Sequence, residues 1–328
     1  MLKNVVFFFC LLFIETTAFA QMPVKYTELI NKAWAFYVAK DYKNSALTYS
    51  TAFKTNAWTS ADRYNAACSW ALVNNADSSF SQLNRAVHQA KYSNYDHIVE
   101  DTDLTILHTD KRWEPLLALV KENRDKEQSK FIQPVTRQLD TIYKEDQSSR
   151  LKISEIQQKY GNDSKEMTAL WNLMGDKDSI NLIKIKAILD QYGWLGAAEV
   201  GQQGNTTLFL VIQHADLATQ QHYLPIMREA VKNGKAAASS LALLIDRVAL
   251  GEGKKQIYGS QISMLIGAKT ATVSPLEDPD NVDKRRASVG LNPIADYVKQ
   301  WNIKWDVEQY KKDLQALEEK KAGKKLAL

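Results

Sequence analysis

The residues with the most chemical potential stand in the second half of the chain, where charged and amide side chains interrupt apolar runs. Leu208-Phe-Leu-Val-Ile passes directly into Gln213-His214-Ala-Asp216, and Leu241-Ala-Leu-Leu-Ile passes into Asp246-Arg247. A helix that is apolar all round is buried, and a buried carboxylate that stays charged and unpaired costs several kcal/mol. Asp246 therefore requires a partner from elsewhere, because Arg247 points about 100° away around a helix. Further polar groups come from Gln256, Tyr258 and Gln261 in one short run, from Arg285-Arg286 beside Asp283, and from Trp194 after Tyr192-Gly193. Asp146 and Arg150 stand at i,i+4 with Gln147 alongside, which by itself reads as a solvated helix salt bridge worth a few tenths of a kcal/mol.

Two kinds of function are open to this set. In the preferred one, the His, Asp, Arg and Gln side chains form a buried polar network in a non-enzymatic binding or interaction protein. The alternative is a hydrolase-type enzyme with His214 as acid or base, oriented by Asp216 or Asp246. Arg285 and Arg286 would then hold an anionic group, so a small anionic ligand is a candidate partner. No metal site or cofactor is expected. The second half has no cysteine and only two histidines, and His214 and His222 lie about 12 Å apart along a helix. Asp216 and Asp246 lack the loop spacing of a magnesium or calcium site. The chain has no Gly-x-Ser-x-Gly elbow, and Gly251-Glu-Gly253-Lys254-Lys255 is too short before its lysine for a phosphate-binding loop.

The elements that must position these groups read as mainly α. A long helix is expected from Phe131, with Val135, Leu139, Ile142, Ile153 and Ile156 on its apolar stripe. Another is expected from Ser179 to Tyr192, capped by Asp178 or Ser179 and stopped by Gly193. Helices then follow over about 217–233 and around 241–250. A small β-hairpin is expected within 262–273, turning near Gly267. A final amphipathic helix turns Val307, Tyr310, Leu314 and Leu317 inward, and the chain frays from Lys320.

The first half reads as a helical repeat. Ser45, Tyr49 and Ala52 recur as Ser79, Leu83 and Ala86, a displacement of 34 residues, which is the length of a tetratricopeptide unit. Ala33, Phe36 and Tyr37 supply the first helix of one unit, and Tyr64, Ala67 and Ala71 that of the next. This portion resembles tetratricopeptide repeats over about two units, with Lys40 in place of the usual mid-repeat glycine. The stretch from Asp101 through Trp113 to Leu117 is similar to the helices that close such arrays. A groove of this kind could take a protein or peptide partner, but binding area grows with repeat number, so with two units a supporting role is preferred.

Taken in order, Asp146-Gln147-x-x-Arg150, Tyr192-Gly193-Trp194, Gln213-His214-x-Asp216, Asp246-Arg247, Gln256-x-Tyr258-Gly-x-Gln261 and Arg285-Arg286-x-x-Val289-Gly290-Leu291 resemble an uncharacterised bacterial domain family common in Bacteroidota. The resemblance spans about Phe131 to Tyr310, with Ser260 where a threonine is more usual. That family is known as a domain of unknown function. The resemblance therefore implies that these residues act as one set and brings no activity with it.

Lys3, the apolar run Val5 to Ile14 and Ala18-Phe19-Ala20 form a secretory signal with expected cleavage before Gln21. Ten apolar residues are too few to span a bilayer, so no membrane span is expected after cleavage and a periplasmic or secreted location follows. The expected plan is a signal over 1–20, a repeat with capping helices over 21–123, a polar boundary at 124–130, an α-rich domain over 131–310, and a helix end with a basic tail over 311–328. Removing the signal takes Cys10 and leaves Cys68, read as a small core residue. At 42 Lys+Arg against 38 Asp+Glu in 328 residues, the charge of +4 gives no electrostatic footprint for nucleic acid.

Overall fold

The computed structural model describes residues 24–264 and 271–326, and the expected signal segment lies outside them. The chain is mainly α and divides into two compact units, one ending at Phe131 and the other continuing from Ile132.

In the first unit α1 (Val24–Val38) pairs with α2 (Tyr42–Ala52), and α3 (Ser60–Leu72) pairs with α4 (Ala76–Gln89). Ser45, Tyr49 and Ala52 are buried on α2, as are Ser79, Leu83 and Ala86 on α4. The turns obey the same displacement, because Lys40 and Asn74 both adopt left-handed φ values, 60° and 57°. That region is uncommon for residues with a Cβ and serves to reverse the chain after a helix. Side-chain oxygens of Asp41, Thr59 and Asn75 cap α2, α3 and α4, each worth about 1 kcal/mol.

Phenol–carboxylate bonds tie distant segments of this unit. Tyr26 donates to Asp62, Tyr37 to Asp103, and Tyr64 to Asp101 at 2.8 Å. Cys68 is a buried free thiol, pushed well above its usual pKa by burial and by Asp101 and Asp103. A short α5 (Tyr95–Glu100), a 3-10 segment and α6 (Trp113–Gln128) close the unit through Ile98, Leu104, Leu107, Trp113 and Leu116. The polar run 124–130 forms the last turns of α6 and the connection after it, directly before the division between the two units.

The second unit opens with α7 (Gln133–Arg150), α8 (Ile153–Tyr160) and α9 (Lys165–Tyr192). The single helix expected from Phe131 is thus two, parted at Leu151-Lys152. Ile153 packs with Met167, Leu170 and Met174, away from the cluster that takes Val135, Leu139 and Ile142. Conversely, the helix expected from Ser179 begins at Lys165, with Ser164 as its cap. Gly175 does not end it, since the inward stripe Met167, Leu170, Met174, Asn181, Ile185 runs straight through.

Next come α10 (Ala197–His214), broken at Gly201 by a φ of 75°, then α11 (Leu217–Lys232) and α12 (Ala238–Gly251). The apolar run Leu208 to Ile212 is buried on every side because α10 is central, in contact with α7, α9, α11 and α12. At Gly204 an added Cβ would sit 3.2 Å from Leu139 Cδ1, so the missing side chain lets α10 approach α7 closely.

Strands β1 (Ile262–Met264) and β2 (Ala271–Val273) pair antiparallel, Ile262 opposite Val273. Helices α13 (Val282–Ser288) and α14 (Ile294–Tyr297) complete a satellite core of Ile262, Val273, Leu276, Val282, Ile294 and Val298. The last helix, α15 (Val307–Leu326), continues past Lys320, where fraying was expected, and half-buries Val307, Tyr310, Leu314 and Leu317. Tyr310 Oη links it to the hairpin by accepting from Leu276 N and donating to Ser274 O.

Leu208→Ala removes a fully buried side chain from the central helix. It is expected to cost about 2–5 kcal/mol, measured by urea denaturation, with faster amide exchange concentrated in the second unit.

Candidate functional site

Asp146 lies on the inward stripe of α7, at the positions continuing Val135, Leu139 and Ile142, and is buried like them. Its carboxylate collects three partners. Oδ1 takes His214 Nδ1 at 3.0 Å and Arg150 Nη1 at 3.1 Å, and Oδ2 accepts from Gln147 Nε2 at 2.7 Å. Arg150 also donates to the Asp146 carbonyl at 2.7 Å and, through Nη2, to Asp178 Oδ2 on α9 at 2.7 Å. The pair read as a solvated salt bridge is thus the middle of a buried network spanning α7, α9 and α10.

Burial alone would raise the Asp146 carboxyl, but His214, Arg150 and Gln147 outweigh it and hold the group below the usual carboxylate range. His214, whose side chain is 6% exposed, is moved the other way. Burial lowers its pKa, Asp146 opposes that, and the charges of Arg150 and Arg247 add to the lowering. The imidazole is therefore neutral at neutral pH. Its Nδ1 carries the proton, because the facing carboxylate only accepts.

The sequence pairs His214 with Asp216 or Asp246, and the structure gives both aspartates other work. Asp216 is exposed and caps α11, accepting from Thr219 N at 2.7 Å. Asp246 on α12 is fully buried and accepts three main-chain bonds, from Ile257 N at 2.7 Å, Tyr258 N at 2.9 Å and Ser260 N at 2.9 Å. Burial raises its pKa, and these bonds pull the other way.

The same loop engages the remaining motif residues. Arg286, almost wholly buried, donates to Tyr258 O and Asn292 O, at 2.7 and 2.6 Å, and lies over the Tyr297 ring. Arg285 donates to Ile257 O, Glu277 O and Asp278 O, and pairs with the Asp278 carboxylate. The expected anion clamp of Arg285 and Arg286 is therefore a brace on main-chain carbonyls. Gln256 bridges the loop to the hairpin, donating to Gln261 O and Ser274 O and accepting from Gln261 N. Tyr258 contributes its backbone alone to these bonds.

Arg247 joins the two networks. Its Nη1 donates to Gln213 O at 2.7 Å and its Nε to Gln261 Oε1 at 3.3 Å. Gln220 Nε2 donates to the same Gln213 carbonyl and to Ala215 O. These carbonyls end α10 and lack intrahelical donors, so Arg247 and Gln220 cap the helix, with the guanidinium favoured by the helix dipole. Burial and the neighbouring Arg150 push Arg247 down to about 9. Gln213 is buried, as is Trp194, which packs in the main core; Gln213 Oε1 and Trp194 Nε1 make no hydrogen bond among the described residues.

Asp178 was read as a helix cap. It sits in the middle of α9, one turn after Met174 and one before Asn181 on the inward stripe. Continuing the apolar periodicity through Gly175 is the signal that would have found it.

Residues 134–308 match the family described as a family of unknown function (DUF6624). The match covers more than half of the chain, and the chain belongs to that family; both networks lie inside the matched stretch. No curated protein and no solved structure matches the chain.

Two outcomes follow. Asp246→Ala strands three buried amides and is expected to cost at least about 3 kcal/mol, with amide exchange accelerated at Ile257, Tyr258 and Ser260. Asp246→Asn recovers part of that, since it keeps one acceptor oxygen. The second concerns pH. His214 has a lowered pKa in the folded chain, so between that value and the ordinary one near 6.5 the unfolded chain binds more protons. Stability therefore rises with pH through this window, by at most about 1.4 kcal/mol per pH unit. Urea titrations of His214→Gln are expected to lose that slope.

Proposed function

We propose that the chain is an exported, non-enzymatic binding protein whose family domain receives a small anionic ligand beside His214. The observation that carries this reading is that two guanidinium groups flank His214: Arg150 shares Asp146 Oδ1 with it, and Arg247 holds the carbonyl of the preceding Gln213. Like charges brought together in a poorly hydrated place repel, and an anion received there is stabilised by both through charge-assisted hydrogen bonds. The first unit resembles tetratricopeptide repeats in its buried positions and its 34-residue displacement, and we assign it the supporting or adaptor role for a protein or peptide partner. The signal pattern of residues 1–20 supports delivery to the periplasm or beyond.

A second reading has one specific observation behind it. Nδ1 of a neutral His214 faces a buried carboxylate at 3.0 Å, the arrangement that orients an imidazole for general-base work. The partner in that reading is Asp146, with Arg150 and Arg247 in the part first given to Arg285 and Arg286.

Phosphate, sulfate, acetate and citrate titrated separately into the protein are expected to include at least one anion that raises the melting temperature by several degrees. Its affinity should fall at least tenfold in Arg247→Gln. Failure of all four to bind would overturn the anion reading. Turnover of a chromogenic ester, abolished in His214→Gln, would replace it with the catalytic one.

A further inference from the structure

We propose that Asp146, Asp178 and His214 form a binding site for one divalent first-row transition-metal ion, Mn2+ or Zn2+, where α7, α9 and α10 meet. Each residue offers a ligand atom, and these atoms lie within 4.8 Å of one another. The three side chains come from three helices, and α7 and α9 each contact α10, so their separation is fixed by the core before any ion arrives. This is an inference about a cation and stands independently of the anion reading.

A second observation concerns one of these three ligands. Asp178 Oδ2 accepts from Arg150, whereas Asp178 Oδ1 is shut away from solvent and makes no hydrogen bond among the described residues. A buried acceptor left without a donor is unfavourable, more so when charged, and a cation between the carboxylates and the imidazole removes that cost. Asp146 and Asp178 offset the charges of Arg150 and Arg247, so an arriving cation meets no net positive charge. Arg150 does not compete for the unpartnered oxygen. It holds Asp178 through Oδ2 and Asp146 at Oδ1 and at the main-chain carbonyl, while Gln147 steadies Asp146 Oδ2. Such bonds around a metal site orient its ligands.

Binding through Nδ1 moves the imidazole proton to Nε2, and the freed nitrogen with two carboxylate oxygens suits Mn2+ or Zn2+. Calcium takes six to eight oxygens, and Cu(I) prefers sulfur. Three protein ligands leave at least one position open, which water or an anion can take.

The test uses the signal-free chain, stripped with EDTA and exchanged into HEPES, which holds none of the anions named above. Mn2+ is followed by the electron paramagnetic resonance of the free ion and by calorimetry, and Zn2+ by calorimetry. One equivalent of Mn2+ or Zn2+ is expected to bind, with affinity at least tenfold weaker in Asp178→Asn and in His214→Gln. Asp178 is partly exposed, so Asp178→Asn should keep a near-native melting temperature and decides the matter if His214→Gln folds poorly. Absence of binding by either ion up to about 1 mM, the range of very weak affinity, overturns the proposal. So does equal binding by Asp178→Asn.

Discussion

The second unit depends on a carboxylate that serves as the end point of a loop. Asp246 sits on α12 inside the protein, and what satisfies it is three main-chain N–H groups from residues 257 to 260. A side chain that accepts three backbone donors fixes the backbone that carries them, because each amide has lost water and has that oxygen as its replacement. The loop is then pinned from its other face, where Arg285 and Arg286 take the carbonyls of Ile257 and Tyr258. In the Ile257–Tyr258 peptide unit the carbonyl goes to Arg285 and the N–H to Asp246, so the segment has little freedom to shift. Gly259 completes the constraint: its φ is 67°, and a Cβ there would come within 2.7 Å of Ile294 Cδ1.

Asp146 solves the same burial problem with different chemistry. Its partners are side chains, one a cation, one an amide and one a neutral imidazole. Main-chain amides cannot change charge or leave, whereas side chains can rotate, exchange partners or give up a proton. The Asp246 network is therefore suited to holding shape, and the Asp146 network is the one equipped to respond to a ligand or to pH. Arg247 sits between them, capping α10 through Gln213 O and reaching Gln261 at the end of the braced loop. The position of one of the two guanidinium groups that flank His214 is thus set by the Asp246 network.

Much of this was legible in the sequence. The helical composition, the short hairpin and the need of Asp246 for a distant partner all followed from apolar runs broken by charge. The partner's identity did not, because a backbone N–H has no residue type and leaves no trace in a sequence. Asp146 could have been placed, since it occupies the apolar stripe of α7, but its i,i+4 spacing to Arg150 imitates a surface pair. Asp178 and Ser179 imitate a helix cap, and that resemblance hid the place of Asp178 in the middle of α9. In each case a local signal was overridden by burial, which only the tertiary packing of α7, α9 and α10 decides.

Arg285 and Arg286 show why a motif resists functional reading from its residue types alone. An arginine pair in a chain that also offers a histidine reads as an anion clamp, because guanidinium groups match carboxylate and phosphate geometry. The same fork matches main-chain carbonyls equally well, and a buried loop with many of its N–H groups turned toward Asp246 offers its carbonyls on the other side. Once Asp246 has claimed the donors, the acceptors need a multidentate cation, and arginine with its five N–H groups is the side chain that can reach several at once. The Asp246-Arg247 and Arg285-Arg286 motifs are in that sense complementary halves of one solution to burying an irregular loop. What remains for chemistry is the smaller set on α7, α9 and α10 that the loop's backbone does not consume.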